Sequence, residues 1–71
     1  MKKNQRERIV DYINEHGFIT SFDAYSKLGI TQLATRIKEL KEIDGYRIIT
    51  EWVYKEDTHY KKYRIEVEDE D

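Results

Sequence analysis

The stretch that decides the fold is residues 18–45, FITSFDAYSKLGITQLATRIKELKEIDG, in which one glycine divides a short apolar pattern from a longer one. Gly29 follows the apolar residues Ala24 and Leu28. A chain that leaves a helix commonly adopts a left-handed conformation there, and glycine does so at little cost because it lacks a Cβ. Gly45 stands in the same position after the longer pattern. The two glycines therefore predict two consecutive helices joined by a tight turn.

The residues after Gly29 predict how the second of these helices begins and packs. Ile30 is expected to fill the space between the two helices, and Thr31 is expected to cap the next helix with its side-chain oxygen. This helix should run from about residue 32 to residue 44. Its apolar residues recur at spacings of four and three, which predicts one inward stripe. The stripe consists of Leu33, Ile37 and Leu40, with Ala34 beside them and Ile43 one turn farther along.

Two helices joined in this way form a helix-turn-helix, which presents one exposed helix face from a rigid support. That geometry suits the major groove of DNA. Upstream, Asn4 and Glu7 have capping-box spacing before an apolar face, which predicts a first helix over residues 5–16. Thr20 with Asp23, or Ser21, should cap the helix at 21–28, and Phe18-Ile19 could form a minimal strand.

After Gly45 the composition changes to aromatic and β-branched residues, which predicts two strands, over residues 46–54 and 60–67. The polar segment 55–59 between them is short, so the strands should pair as an antiparallel hairpin. We expect Ile48 to reach the core and Trp52 to cover its edge. Three helices followed by a hairpin give an α+β fold, the winged helix-turn-helix, with Phe18-Ile19 as a small third strand.

Charge is distributed unevenly along the chain, whose formal net charge is −2. Five of the 15 acidic residues lie within residues 66–71, so residues 1–65 carry 13 bases against 10 acids, a net charge of +3. We therefore predict one winged domain over residues 1–65 and an acidic tail over 66–71. The tail is interpreted as a solvated end, and the alternative is that it competes with DNA for the basic surface.

A series of short motifs follows one order and spacing along the chain. They are Gly17-Phe18-Ile19-Thr20, Asp23-Ala24, Leu28-Gly29-Ile30, Ala34-Thr35-Arg36-Ile37-Lys38-Glu39-Leu40, Gly45-Tyr46, Glu51-Trp52-Val53 and Tyr63-Arg64-Ile65. In these motifs the chain resembles the small helix-turn-helix domains that bacteriophages and prophages encode, over about residues 5–65. The resemblance implies a phage-type DNA-binding protein of the bacterial cytoplasm, acting as a transcriptional regulator or as an excisionase-like factor. Phe18 replaces the family's usual small residue, and the acidic tail is additional.

With the apolar stripe turned inward, helical periodicity selects the residues that could read base edges in double-stranded DNA. Arg36 suits guanine, Gln32 suits adenine, and Glu39 could accept a hydrogen bond from a cytosine amine. Thr35 completes the set. The alternatives are that these side chains only solvate the helix, or that Arg36 folds back against an acid of the same domain.

The candidates for phosphate contacts are basic residues at the start of the chain, on the third helix and around the hairpin turn. They are Lys2, Lys3, Arg6, Lys38, Lys41, Lys55, His59, Lys61 and Lys62. Near them, Trp52, Tyr54 and Tyr60 are expected to pair across the strands. Alternatively, these wing aromatics form a patch for a protein partner or for a second copy of the chain.

Composition argues against several other functions. The sequence has no cysteine, and His16 and His59 do not have the spacing of metal ligands. It shows no glycine-rich phosphate loop and no catalytic constellation, so we predict a protein without a cofactor or metal and without enzymatic activity. No apolar run approaches the roughly 20 residues of a membrane span, which predicts a soluble intracellular protein. The competing hypothesis is a protein-interaction module of the same fold, such as a phage inhibitor of a host protein.

Overall fold

A computed structural model describes residues 3–66 of the chain. Lys2 and residues 67–71, which include most of the acidic tail, lie outside the described residues. Three helices precede two antiparallel strands, as the sequence predicts. The elements are α1 (Gln5–His16), α2 (Ser21–Leu28), α3 (Leu33–Glu42), β1 (Ile48–Lys55) and β2 (Thr58–Ile65).

The first two helices begin at capping boxes, which confirms the boundaries predicted for both. At α1 the Glu7 amide donates to the Asn4 side chain over 2.8 Å, and the Asn4 amide donates back to the Glu7 carboxylate over 3.3 Å. At α2 the Asp23 amide donates to the Thr20 hydroxyl over 3.1 Å, and the Asp23 carboxylate accepts from the Thr20 amide over 3.2 Å. Each box satisfies two backbone donors that the first turn of a helix leaves without a partner.

The turn between α2 and α3 depends on Gly29, whose φ of 69° is left-handed. This conformation lets the Ile30 amide donate to the Ala24 carbonyl over 2.9 Å, so the chain reverses while Ile30 stays buried. Gly45 repeats the pattern after α3, with a φ of 75° and a 3.0 Å hydrogen bond from the Tyr46 amide to the Leu40 carbonyl. The helix-turn-helix is therefore set by two glycine-dependent helix ends.

Several details predicted for α3 are wrong. Its N-cap is Gln32 rather than Thr31, and no described side chain makes the capping hydrogen bond. Thr31 lies one residue too early for its hydroxyl to reach the first free amides. The helix ends at Glu42, so Ile43 is its C-cap and its side chain is 64% exposed instead of extending the buried stripe. Ala34, at the margin of the stripe, is also exposed.

The turn of the hairpin is tighter than predicted, and both strands have bounds that differ from the prediction. Lys55 pairs with Thr58, so the turn consists of Glu56 and Asp57 rather than of the five residues 55–59. Because the turn has only two residues, the strands pair residue by residue without interruption from Lys55 opposite Thr58 to Ile48 opposite Ile65. β1 begins at Ile48, so residues 46 and 47 precede the strand, contrary to the prediction.

A single bridge at Ile19 attaches the hairpin to the helices, so the minimal strand predicted at Phe18-Ile19 is reduced to one paired residue. Ile19 and Tyr63 form an antiparallel bridge, in which each amide donates to the other's carbonyl over 2.9 Å. Both side chains are buried in the same core. The orientation of the wing relative to α3 is thus fixed by backbone pairing as well as by side-chain packing.

The core lies where the three helices meet the base of the hairpin. Ile48 is partly buried against it, as predicted. Trp52 is not part of this contact: it is 49% exposed, because it lies farther along β1, on the distal half of the hairpin. The buried apolar residues of the core are Ile9, Ile13, Ile19, Ala24, Ile30, Leu33, Ile37, Leu40 and Tyr63. Burying one large aliphatic side chain stabilises the folded state by about 1.5–3 kcal/mol, so these residues carry most of the stabilisation.

Candidate nucleic-acid interface

The face of α3 opposite the core is exposed. Leu33, Ile37 and Leu40 are buried at 2%, 3% and 1% exposure, as the predicted stripe requires. The residues on the opposite side of the helix are all exposed, and we call them the outer face: Gln32, Thr35, Lys38 and Glu42. The hairpin does not cover this surface, so a partner has access to it.

Arg36 and Glu39 occupy one flank of α3 and are drawn together with side chains from outside the helix. Arg36 Nε lies 3.2 Å from Glu39 Oε1, and Arg6 Nη1 from α1 lies 3.7 Å from the same oxygen. Arg6 Nε also donates a 2.8 Å hydrogen bond to Asp44 Oδ2, just beyond the end of α3. We call these four residues the charge cluster. It contains two arginines and two acids, and Arg6 joins α1 to Glu39 on α3 and to Asp44 just beyond it.

The contact between Arg36 and Glu39 is an ion pair without a hydrogen bond. Although Arg36 Nε and Glu39 Oε1 are 3.2 Å apart, their alignment does not meet hydrogen-bond geometry, and neither atom has another hydrogen-bond partner among the described residues. Both atoms are screened from solvent, while each side chain as a whole is 28% exposed. A charged atom that lacks a hydrogen bond is held less firmly than one that makes it. The Arg36 side chain is therefore the weakly held member of the cluster.

The predicted base contacts are thus divided between two environments. Gln32 and Thr35 are exposed on the outer face. Arg36 and Glu39 contact each other, which matches the alternative that the arginine folds back against an acid of the same domain. Their roles toward DNA remain predictions.

The basic residues predicted to contact phosphate also differ in their surroundings. Lys38 and Lys41 on α3 are exposed. Lys3 forms an ion pair with Asp11, and the hydrogen bond and negative charge of that carboxylate raise the pKa of Lys3. Arg6 belongs to the charge cluster. Lys2 lies outside the described residues.

The two lysines of the wing point to opposite faces of the hairpin, because consecutive strand residues alternate. Lys61 Nζ lies 5.0 Å from the centre of the Trp52 ring, and Lys62 Nζ lies 4.1 Å from the centre of the Phe18 ring. Lys62 is the less exposed of the two. A single DNA backbone that runs along one face of the wing would therefore meet only one of them.

The other wing candidates are exposed. Lys55 lies beside the turn, and the His59 ring centroid lies 5.3 Å from that of Trp52 and 5.9 Å from that of Tyr54. Trp52 and Tyr54 are stacked, with ring centroids 6.3 Å apart. The prediction that Trp52, Tyr54 and Tyr60 pair across the strands is therefore wrong in its partners: Trp52 and Tyr54 are neighbours on β1, their cross-strand ring contact is with His59, and Tyr60 lies opposite Val53. Tyr54 nevertheless remains 75% exposed and Tyr60 37% exposed.

The described part of the chain gives no sign of a metal centre or of a membrane span. Residues 3–66 contain no group of three or more His, Asp or Glu side chains arranged to hold a metal ion. Within the same range, none of the helices combines the length and apolarity needed to cross a bilayer.

The fold and the exposed α3 define a class of protein, the winged helix-turn-helix proteins. Comparison with protein families matches residues 4–67 to the winged helix-turn-helix domain, so the chain belongs to that family. No curated protein and no solved structure matches it. The family assignment points to DNA binding and to a module that is typically non-enzymatic.

The sequence predicts a phosphate contact for Arg6 and a helix end near Asp44, and as an alternative it predicts that Arg36 folds back against an acid, but no pattern in it brings the four residues of the charge cluster together. Only the spacing of Arg36 and Glu39, three residues apart on one helix, gave a local signal for pairing. Arg6 and Asp44 are 38 residues apart, so their contact depends on how α1 packs on α3.

Proposed function

We propose that this protein is a DNA-binding protein of the phage or prophage type that regulates transcription or acts like an excisionase, with α3 in the major groove. The observation that supports the proposal is the exposed outer face of α3, supported from behind by the buried stripe Leu33, Ile37 and Leu40. The wing stands beside it, fixed by the bridge between Ile19 and Tyr63. A winged helix uses these two elements together to hold a duplex.

In this proposal the N-terminal half of α3 reads base edges. Gln32 and Thr35 reach the groove from the outer face, and Arg36 takes guanine when its contact with Glu39 is exchanged for the base. For Glu39 the sequence predicts a contact with a cytosine amine, and its contact with Arg36 in the free protein offers a different role. Lys38 and Lys41 supply phosphate contacts along the helix, and the wing lysine that faces the backbone adds another.

The size of the domain predicts how it binds. One recognition module of this kind buries about 600–1,000 Å² of protein surface, which is at the low end for specific DNA complexes. Tight binding to an operator therefore requires two copies on half-sites about 34–36 Å apart, or cooperation with another factor. The dimer is part of the proposal, and the wing aromatics are the surface we assign to it.

Fluorescence anisotropy with a labelled random duplex of about 20 base pairs tests the proposal at low salt, where phosphate contacts dominate. The protein should bind weakly, and log affinity should fall linearly with log salt concentration. Lys38→Glu should weaken binding strongly, because it places an acid in the centre of the outer face. Lys27→Glu is the matched control, since Lys27 is an exposed lysine on α2 outside the predicted contact set. Equal losses in the two variants would contradict docking through α3.

A second candidate function is supported by the charge cluster. With Arg36 and Arg6 both contacting acids, and with Glu42 exposed on the outer face, this surface also fits a protein-interaction module such as a phage inhibitor of a host protein. Absence of any binding to random duplex at low salt would favour this function over DNA binding.

A further inference from the structure

One carboxylate oxygen faces the two arginines nearest the candidate DNA surface. Glu39 Oε1 lies 3.2 Å from Arg36 Nε and 3.7 Å from Arg6 Nη1. These arginines come from different helices, and Glu39 is the acid that contacts both of them. A DNA phosphate or a guanine edge that approaches the Nε side of Arg36 has to compete with Glu39 for it.

A carboxylate offers a guanidinium the same kind of oxygen acceptor as a phosphate does. Sequence-independent binding is driven by the release of counterions when free cationic side chains neutralise phosphates. An arginine whose charge is already balanced by a carboxylate contributes little to this release of counterions. In the charge cluster the two arginines are balanced by Glu39 and Asp44, so their charges give little attraction for an arbitrary duplex.

The two arginines are not held equally. Arg6 is retained by its 2.8 Å hydrogen bond to Asp44 in addition to its contact with Glu39. Arg36 has only the ion pair with Glu39 among the described contacts, and that pair lacks hydrogen-bond geometry. The O6 and N7 atoms of guanine offer Arg36 two aligned hydrogen bonds, so a guanine can replace Glu39 as its partner. A phosphate that is not aligned with the guanidinium forms weaker hydrogen bonds and replaces Glu39 less readily.

We propose that Glu39 is a specificity-determining residue that withholds Arg36 from phosphates of arbitrary sequence and yields it to a correctly placed guanine. The inference rests on the proposed DNA-binding function and assigns a part of its specificity. It gives Glu39 a role opposite to that of a base contact. Removing a base contact weakens binding, whereas removing this competitor strengthens binding to random DNA.

The experiment compares Glu39→Gln with Glu42→Gln by anisotropy on a random duplex of about 20 base pairs, between about 50 and 200 mM salt. Both variants remove one negative charge from α3, and Glu42 is exposed without an ion pair among the described residues. E39Q should bind the random duplex at least about threefold more tightly than E42Q at the low-salt end. Its plot of log affinity against log salt should be steeper by about 0.9, the slope of one additional phosphate contact.

Two further measurements connect the gain to Arg36. The double variant E39Q/R36Q should lose the excess over E42Q, because the released guanidinium is then missing. The Arg36 side-chain Nε–H resonance should shift in E39Q but not in E42Q, and this readout requires no DNA. Thermal unfolding of each variant confirms that the comparison is made between folded proteins.

Each outcome has one meaning. Tighter binding and a steeper slope for E39Q alone support the inference. Equal affinities for E39Q and E42Q, or weaker binding by E39Q, overturn it while leaving the proposed function in place. Absence of binding by the wild type, E39Q and E42Q alike overturns the proposed function and this inference together.

Discussion

Two isoleucines of the same predicted stripe provide a test of how α3 is seated. Ile37 is 3% exposed in the core, whereas Ile43 is 64% exposed at the C-cap. Replacing a buried isoleucine with alanine removes transfer free energy and leaves a cavity, at a cost of about 2–5 kcal/mol. The same substitution at an exposed position usually changes the free energy of unfolding by about 0.5 kcal/mol or less. Ile37→Ala should therefore be strongly destabilising, and Ile43→Ala nearly neutral.

The size of the domain makes this difference easy to measure. At about 0.05–0.15 kcal/mol per residue, a chain of 71 residues has a total stability of roughly 4–11 kcal/mol. Ile37→Ala would remove a large share of it. Urea denaturation followed by circular dichroism gives both free energies of unfolding, and m-values confirm that the transitions are comparable. Similar losses for Ile37→Ala and Ile43→Ala would refute the helix end at Glu42 and the orientation of the outer face.

Three more predictions concern the wing and the helix ends. Replacing the wing lysine that contacts phosphate with alanine should make the plot of log affinity against log salt shallower by about 0.9. Because Lys61 and Lys62 point to opposite faces of the hairpin, only one of K61A and K62A should show this change in anisotropy titrations. Thr20→Ala should cost about 1 kcal/mol in chemical denaturation, because it removes the acceptor of the Asp23 amide at the start of α2. Gly29→Ala should lower the free energy of unfolding by about 1–2 kcal/mol. The whole cost should be backbone strain at φ 69°, because an added Cβ would meet no atom within 4 Å. A thermal midpoint equal to that of the wild type would contradict this.

Much of the fold could be predicted from the sequence because its determinants are local. The capping boxes at Asn4 and Thr20 involve residues three apart, and Gly29 ends its helix through bonds to residues of the preceding turn. The apolar pair Phe18-Ile19 also indicates a small paired segment, but its partner Tyr63 lies 44 residues from Ile19 and no local pattern predicts it.

The errors arose where a boundary depends on the tertiary structure. Ile43 fits the helical spacing, but α3 ends before it, so the side chain leaves the stripe. The polar residues Thr58 and His59 gave a loop signal, yet both are paired in β2 because the two-residue turn keeps the strands in register. Spacing alone does not reveal such endpoints.

The site was predictable only in part for the same reason. Gln32, Thr35 and Lys38 follow from the periodicity of one helix, and they are exposed as expected. The charge cluster depends on the approach of α1 to α3, which no local pattern encodes.

The most direct test of the account is a ¹H–¹⁵N correlation spectrum of the labelled protein, titrated with a random duplex at low salt. We predict that chemical shift changes concentrate on residues 32–42 and on the wing, while the amides of Ile9 and Ala24 in the core change little. Shift changes confined to α1, or a spectrum unaltered by excess duplex, would contradict the claim that the outer face of α3 binds DNA.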